Sequence, residues 1–231
     1  MEAIVLAGGE GKRMGDLVKD TPKHFLEIAN RPLIDYPMRI LFNSKNVDNI
    51  LLSVQEKYKD TYIRRFGDGT DKIKISYNSI NNPSIIRVLK ENTELLKENS
   101  FILLLGDSVL DINIDMVVNS YKLNEGKYSI IIVSPKIIQL VGVDPHKSGI
   151  KSLFKAKKTD YEVCGAILNK NDINWDIDGD FLESVYDGLA KKRKLKFYKF
   201  FGYHKNINTY KDFMDAKGDV EGGKTSFSRI F

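Results

Sequence analysis

The sequence predicts an α/β layered fold with a mostly parallel sheet, on three observations. Apolar, β-favouring segments alternate with segments of helical periodicity through the first half of the chain. The first of them, residues 2–7, has no polar face, the pattern of a strand buried on both sides rather than half solvated. It runs into Gly8-Gly9-Glu10-Gly11, and a glycine turn at the carboxyl end of a buried strand lies where parallel sheets collect their ligands.

Asp20-Thr21-Pro22 breaks the chain after this loop, and residues 25–28 read as extended. Pro32 is expected to open a helix over 33–44, with an apolar stripe at Leu33, Tyr36, Pro37, Ile40 and Leu41. A strand at 50–54, a helix at 56–66, a strand at 73–77 and a helix at 84–98 continue the alternation. The strand at 101–105 is apolar throughout and ends in Gly106-Asp107-Ser108. Beyond a helix near 115–123 the pattern changes to short strands at 129–133, 140–144, 149–154, 162–168 and 195–201, with a helix at 180–192. This half is expected to add antiparallel strands and a lid. With neither linker nor repeat, a single domain over 1–216 is expected, in halves 1–125 and 126–216, followed by a tail from Lys217 that suits an oligomer contact.

Composition narrows the function classes. A chain of 231 residues with 42% hydrophobic and 29% charged residues can bury a substantial core. No apolar run approaches the roughly 18 to 20 residues of a membrane span, and no basic segment followed by an apolar one opens the chain, so a cytoplasmic protein is expected. A single cysteine, Cys164, excludes an internal disulfide and a cysteine metal cluster, and reads as a small buried apolar residue. The net charge of +5 suits an anionic ligand. Basic residues are scattered apart from Lys155–Lys158 and Lys191–Lys194, the second of which reads as the solvated end of a helix, so nucleic acid is not an expected partner.

Chemistry concentrates at the glycine loop. Backbone N–H groups of glycines approach phosphate oxygens closely, and Arg13 and Lys23 add a planar fork and a compact point charge. The dinucleotide fingerprint fails, because Met14 stands where its third glycine is needed, and the P-loop fails, because Gly11-Lys12 is followed by Arg13. A polyphosphate cradle and a plain turn with surface cations both fit the spacing. Asp107, at the end of a buried strand, is placed either to hold Mg²⁺ against phosphate oxygens or simply to make a turn. Asp176, Asp178 and Asp180 have the wrong spacing for a calcium loop and read as a helix N-cap. His24, His146 and His204 are too dispersed for a metal site, and His24, beside the loop, reads as structural or positioning.

The run Leu6-Ala7-Gly8-Gly9-Glu10-Gly11-Lys12-Arg13-Met14, then Pro22-Lys23 and Pro32-Leu33-Ile34, resembles the signature of the sugar-phosphate nucleotidyltransferases, the NDP-sugar pyrophosphorylases. Gly106-Asp107, Val163-Cys164-Gly165-Ala166-Ile167 and the run from Gly202 to Phe213 resemble further segments of that family, so the likeness spans residues 3 to about 216. It implies a Rossmann-like three-layer αβα nucleotidyltransferase fold with a mostly parallel mixed sheet and a small antiparallel addition, in the short form without a C-terminal β-helix. The implied reaction takes an NTP and a sugar 1-phosphate or related phosphomonoester, uses Mg²⁺, and releases pyrophosphate. By the same resemblance, residues 6–13 and the loop at Asn81 and Asn82 bind nucleotide, and Arg13, Lys23 and Asp107 are catalytic. Gly142, Lys155, Lys157, Glu162 and Gly165 bind the acceptor, and Asp107 holds metal together with Asn206.

This chain departs from the family pattern in four places. Asn206 replaces the second metal-binding aspartate, offering a carbonyl oxygen in place of a charge. Lys155-Ala156-Lys157 stands for the family's Glu-Lys-Pro, Val18 for a threonine, and Asn81-Asn82-Pro83-Ser84-Ile85 for its base-reading loop. The Asn-rich loop is closer to relatives that use CTP and a small phospho-alcohol. A catalytically weak regulatory or sensor subunit of the same fold is the alternative these departures leave open.

Overall fold

The computed structural model describes residues 1–19, 21–70, 72–78, 84–146, 149–177 and 179–225, by backbone alone at 136–146, 149–160 and 182. In chain order its strands are β1 (Glu2–Ala7), β2 (Glu27–Ile28), β3 (Arg31–Pro32), β4 (Asn49–Gln55), β5 (Ile73–Asn78), β6 (Ser100–Leu105), β7 (Ser108–Leu110), β8 (Ser129–His146), β9 (Gly149–Asn169), β10 (Leu195–Lys199) and β11 (His204–Asn206). Its helices are α1 (Asp35–Phe42), α2 (Lys59–Phe66), α3 (Ile85–Glu94), α4 (Ile114–Leu123), α5 (Asp187–Lys191) and α6 (Tyr210–Glu221).

A seven-stranded mixed sheet runs in the order β10-β8-β9-β6-β1-β4-β5. β1 pairs in parallel with β4 and β6, β4 with β5, and β10 with β8, while β9 is antiparallel to both of its neighbours. The chain leaves β1 toward β4 and β5 and then returns to the other side of β1 with β6. That reversal opens a crevice at the carboxyl ends of β1 and β6, where the glycine loop and Asp107 lie.

Strand alternation divides the core into layers. Ala3, Val5 and Ala7 pack with Ile50, Leu52, Ile102 and Leu104 under Leu41 of α1, Tyr62 of α2 and Val117 of α4. Ile4, Leu51, Phe101 and Leu103 face the other way, under Ile86 and Leu89 of α3 and Leu189 of α5. The absence of a polar face along residues 2–7 thus reflects helices on both sides of the sheet. A third cluster joins Met14 to Ile28, Val109, Ile207, Phe213 and Val220, and it anchors α6 against the turn that follows the glycine loop.

Four local expectations change. Pro32 does not open a helix: it pairs with Glu27 in the β2–β3 ribbon, and the N–H groups of Leu33 and Ile34 donate to the carbonyls of Leu26 and His24, so helical bonding begins only at Asp35. The four short strands expected between 129 and 168 are two long strands paired almost throughout, with register shifts at Ile132/Val133 and Asp144/Pro145. β10 flanks β8 only as far as Val133, so Pro135 and Pro145 sit where β8 has a single neighbour and a missing N–H is tolerated. The helix expected at 180–192 begins as a π-helical turn, Leu182–Tyr186, before α5. Residues 217–221 continue α6, with Val220 buried, rather than starting a tail. Cys164 is buried as expected, and the Asp180 side chain accepts from the Glu183 N–H at 3.3 Å, an N-capping contact.

Candidate active site

Beyond β1 the backbone must turn sharply while leaving its N–H groups open. Gly11 takes φ +69°, and a Cβ there would lie 3.0 Å from Cβ of Lys23, so both backbone angle and packing require glycine. Nothing lies within 4 Å of where a Cβ on Gly9 would be, which leaves that edge open to a cavity. The Met14 N–H donates to the Gly11 carbonyl at 2.7 Å and its side chain is buried, while Lys12 and Arg13 stay exposed at the rim. Lys12 and Lys57 both pair with Glu10, at 2.9 and 3.4 Å, and the hydrogen bond and charge of Lys12 act first in holding the Glu10 carboxyl below its ordinary range.

The second wall comes from the end of β6. Gly106 donates its N–H to the Leu6 carbonyl at 2.8 Å. A Cβ on Gly106 would fall 2.9 Å from both Ala7 Cβ and Ile34 Cδ1, and 3.1 Å from His24 Cδ2, so a side chain there would wedge the two strand ends apart. With glycine in place, Lys23 Nζ donates to Asp107 Oδ2 at 2.5 Å, although 84 residues separate them. Both groups are largely sheltered, with side chains 6% and 19% exposed. His24 is buried beside them. Burial holds its ring down at about 4, with Asp107 opposing that shift and Lys23 adding to it, so the imidazole is neutral at pH 7.

A cavity of about 510 Å³ lies between these walls. Of the expected nucleotide and catalytic residues, Leu6, Gly8, Gly9, Glu10, Gly11, Lys12, Arg13, Lys23 and Asp107 line it, whereas Ala7 points into the core beneath. Asn81 and Asn82 lie outside the described residues. The lining also includes Ile85, from the stretch set against the family's base-reading loop, Asn208, from the run between Gly202 and Phe213, and residues that sequence reading does not single out: Ser53, Gln55, Asn78, Val88 and Leu105. Ser53, Gln55 and Asn78 carry a weak signal, since they are polar residues at the carboxyl ends of apolar strands.

Of the expected acceptor residues, Glu162 and Gly165 are not among those that line this cavity. Gly142, Lys155 and Lys157 occupy backbone positions in the β8–β9 arm, opposite Phe154, Val141 and Gln139. Gly165 sits within β9, where a Cβ would come 2.6 Å from Leu104 Cδ2, so sheet packing alone accounts for that glycine. Glu162 meets Asn206, whose Nδ2 donates to Glu162 Oε1 at 3.3 Å. The Asn206 carbonyl oxygen accepts from Ser108 Oγ at 2.5 Å and lies 3.2 Å from His204 Nε2, and His204 Nδ1 is 3.4 Å from Glu162 Oε2.

These donors bear on Mg²⁺. Among the described residues, no set of three or more His, Cys, Asp or Glu side chains is grouped to hold a metal. Mg²⁺ nevertheless needs only one or two carboxylates when substrate phosphates and water complete its shell. Asp107 fits that requirement, with one oxygen committed to Lys23 and a hard carboxylate facing the cavity. Asn206 fits less well, because its carbonyl oxygen is already hydrogen-bonded.

No helix among the described residues is long and apolar enough to cross a membrane. The sequence profile described as nucleotidyl transferase matches residues 2–138. Over 128 residues the chain is 30% identical to the D-glycero-alpha-D-manno-heptose 1-phosphate guanylyltransferase of Campylobacter jejuni, which covers 55% of each chain, so it spans little more than half of that relative. Over 177 residues it is 29% identical to the ribitol-5-phosphate cytidylyltransferase of Vibrio parahaemolyticus, covering 69% of this chain and 70% of the other. Its fold superposes on that of a Bacillus anthracis protein assigned as a glucose-1-phosphate thymidylyltransferase and crystallised with a sucrose, with a TM-score of 0.74 at 15% identity and 94% of both chains covered. With its α/β fold, its glycine loop and a profile match over more than half of its length, the chain belongs to the nucleotidyl transferase family of enzymes.

Proposed function

We propose that this chain transfers a nucleotidyl group from an NTP to a sugar 1-phosphate or polyol phosphate and releases pyrophosphate. The observation that carries the reading is the Lys23–Asp107 pair, held at 2.5 Å in the same cavity as the open backbone of the glycine loop. An oxygen of the acceptor phosphate attacks the α-phosphorus in line, and the bond from that phosphorus to the bridging oxygen of pyrophosphate breaks. A phosphate monoester is already an anionic nucleophile, so the protein's task is positioning and charge neutralisation.

The N–H groups of Gly8, Gly9 and Gly11 hold the β- and γ-phosphates, and Arg13 stabilises the departing pyrophosphate. Lys23 meets the α-phosphate as charge builds there. Mg²⁺, when bound at Asp107, supplies charge neutralisation at the phosphoryl oxygens. Acceptor recognition falls to the arm carrying Gly142, Lys155 and Lys157 and to Glu162 beside Gly165. The relatives acting on heptose 1-phosphate and ribitol 5-phosphate support this acceptor class. The test is pyrophosphate release from CTP, UTP, GTP, ATP and dTTP with Mg²⁺ against a panel of sugar 1-phosphates and polyol phosphates. Release with one pair establishes the reaction and names the substrates, and silence across the panel counts against it.

A second reading, a nucleotide-binding regulatory subunit with little transfer, is favoured by one observation: Asn206 stands in place of an acid with its oxygen already engaged by Ser108. Asn206→Asp discriminates the two. A gain of activity of roughly tenfold or more from a near-silent starting protein supports the regulatory reading, and unchanged high turnover removes it.

A further inference from the structure

β10 closes one end of the seven-stranded sheet, and among the described residues its only strand partner is β8. At the two ends of that ladder the Ser129 N–H donates to the Lys194 carbonyl and the Phe200 N–H to the Val133 carbonyl, each at 2.9 Å. Bonding residues alternate along a strand, so Lys194, Lys196, Tyr198 and Phe200 turn their backbone groups toward β8. Leu195, Phe197 and Lys199 turn theirs outward, and their N–H and C=O groups line an open edge.

Lysines that project from an edge strand ordinarily keep other strands away. The two lysines of β10 are instead drawn back over their own molecule. Lys196 Nζ donates to Asn124 Oδ1 at 2.5 Å and lies 4.2 Å from the centre of the Tyr128 ring. Lys199 Nζ lies 5.6 Å from the centre of the Phe197 ring and 5.7 Å from that of Tyr161. Phe197, the middle residue of the edge, is 60% exposed, an unusual outlay of aromatic surface for a strand that nothing covers.

We infer that β10 joins two copies of this chain, pairing antiparallel with the β10 of a second copy about a two-fold axis at Phe197. Among the two-fold registers, this one engages all three outward residues: Phe197 exchanges both bonds with Phe197 across the axis, and Leu195 does so with Lys199 on either side. The opposed side chains suit one another. Phe197 meets Phe197 with a Lys199 ammonium beside each ring, and Lys196 meets Tyr198 on the other face. No lysine opposes a lysine, whereas an axis one residue earlier would set Lys196 against itself. The basic run Lys191–Lys194 of one copy comes beside the uncharged run Phe200–Tyr203 of the other, and a parallel arrangement would instead bring the two basic runs together. β10 and β8 run in the same direction as β6 and β1, so the antiparallel joint makes the two cavities open at opposite ends of one continuous sheet.

The test is sedimentation equilibrium on the full chain from about 1 to 100 µM, where the mass is expected to rise from one chain to two. Phe197→Lys, whose folding is checked by circular dichroism, sets like charges on the axis and should stay monomeric at about ten times the concentration that half-dimerises the unmodified chain. Phe197→Pro removes only an outward N–H, because the bonds to β8 come from its neighbours, and it too should be monomeric. Phe197→Cys fixes the register: residues opposed in such a pair have Cα atoms about 5.5 Å apart, within reach of a disulfide. On oxidation it should give a covalent dimer on a non-reducing gel, while Lys196→Cys, which faces Tyr198, should not; Cys164 is buried and does not compete. A chain that stays monomeric throughout, a dimer that survives both Phe197→Lys and Phe197→Pro, or cross-linking at position 196 in place of 197 overturns the inference.

Discussion

Separating Lys23 from Asp107 is the perturbation that probes fold and chemistry together. At 2.5 Å the gross attraction between unit charges is about 7 kcal/mol at an effective dielectric near 20, and the cost of desolvating two sheltered ions offsets most of it. A net coupling of about 1–3 kcal/mol remains. Asp107→Asn leaves a buried ammonium without its counter-charge, whereas Lys23→Met leaves a carboxylate with more access to cavity water, since the Asp107 side chain is 19% exposed against 6% for Lys23. Asp107→Asn is therefore expected to be the costlier single change, by about 2–3 kcal/mol or a fall in Tm of roughly 4–10 °C. The double variant should lose less than the two singles together by the coupling. Each single should also lower turnover about 10²-fold or more. Thermal melts and pyrophosphate-release rates on the four proteins supply both readouts. Additive melting shifts would refute the pairing, and normal turnover in either single would refute its role in transfer.

Other expectations follow from single positions. Because the His24 ring is held at about 4 when folded and stands near 6.5 when unfolded, the unfolded chain takes up the extra proton as pH falls. Stability is therefore complete above pH 6.5 and falls below it, by about 2 kcal/mol at pH 5; His24→Gln should flatten this part of the Tm profile. Gly106→Ala should cost about 1–3 kcal/mol through overpacking against Ala7, Ile34 and His24, and should lower turnover by moving Asp107, whereas a neutral melt would show that the strand ends can spread. Gly11→Ala combines a strained φ with contact on Lys23 and should weaken NTP binding roughly tenfold in calorimetry. Met14→Ala should cost about 2–5 kcal/mol by chemical denaturation and raise KM for NTP, since the turn after the glycine loop loses its anchor.

The first half of the fold is legible because its signals are local. Strands such as residues 3–7 and 101–105 are uniformly apolar when helices cover both faces, and the glycines that follow mark where they end. The β8–β9 arm is not legible. Pro135 and Pro145 punctuate the sequence as though a strand had stopped, and only the sheet order reveals that β8 has one neighbour there. In the candidate site the glycine loop, Lys23 and Asp107 are read from motif and spacing, but their 2.5 Å approach is a product of topology. Gln55 and Asn78 carry no motif. They converge because β4 and β5 are parallel and in register, a pairing that acts over distances no local periodicity records. Gly165 shows the opposite case, a glycine that fits a family segment and that sheet packing already explains.

The attachment of Met14 to α6 has a consequence in time. The glycine loop is made well before Phe213, Ala216 and Val220, which close the cluster around Met14. At about 5–20 residues per second, roughly 10–40 s of translation separate the loop from the helix that fixes it. A growing chain thus carries the glycine loop without its clamp, and nucleotide capture is expected to switch on late, as synthesis reaches α6.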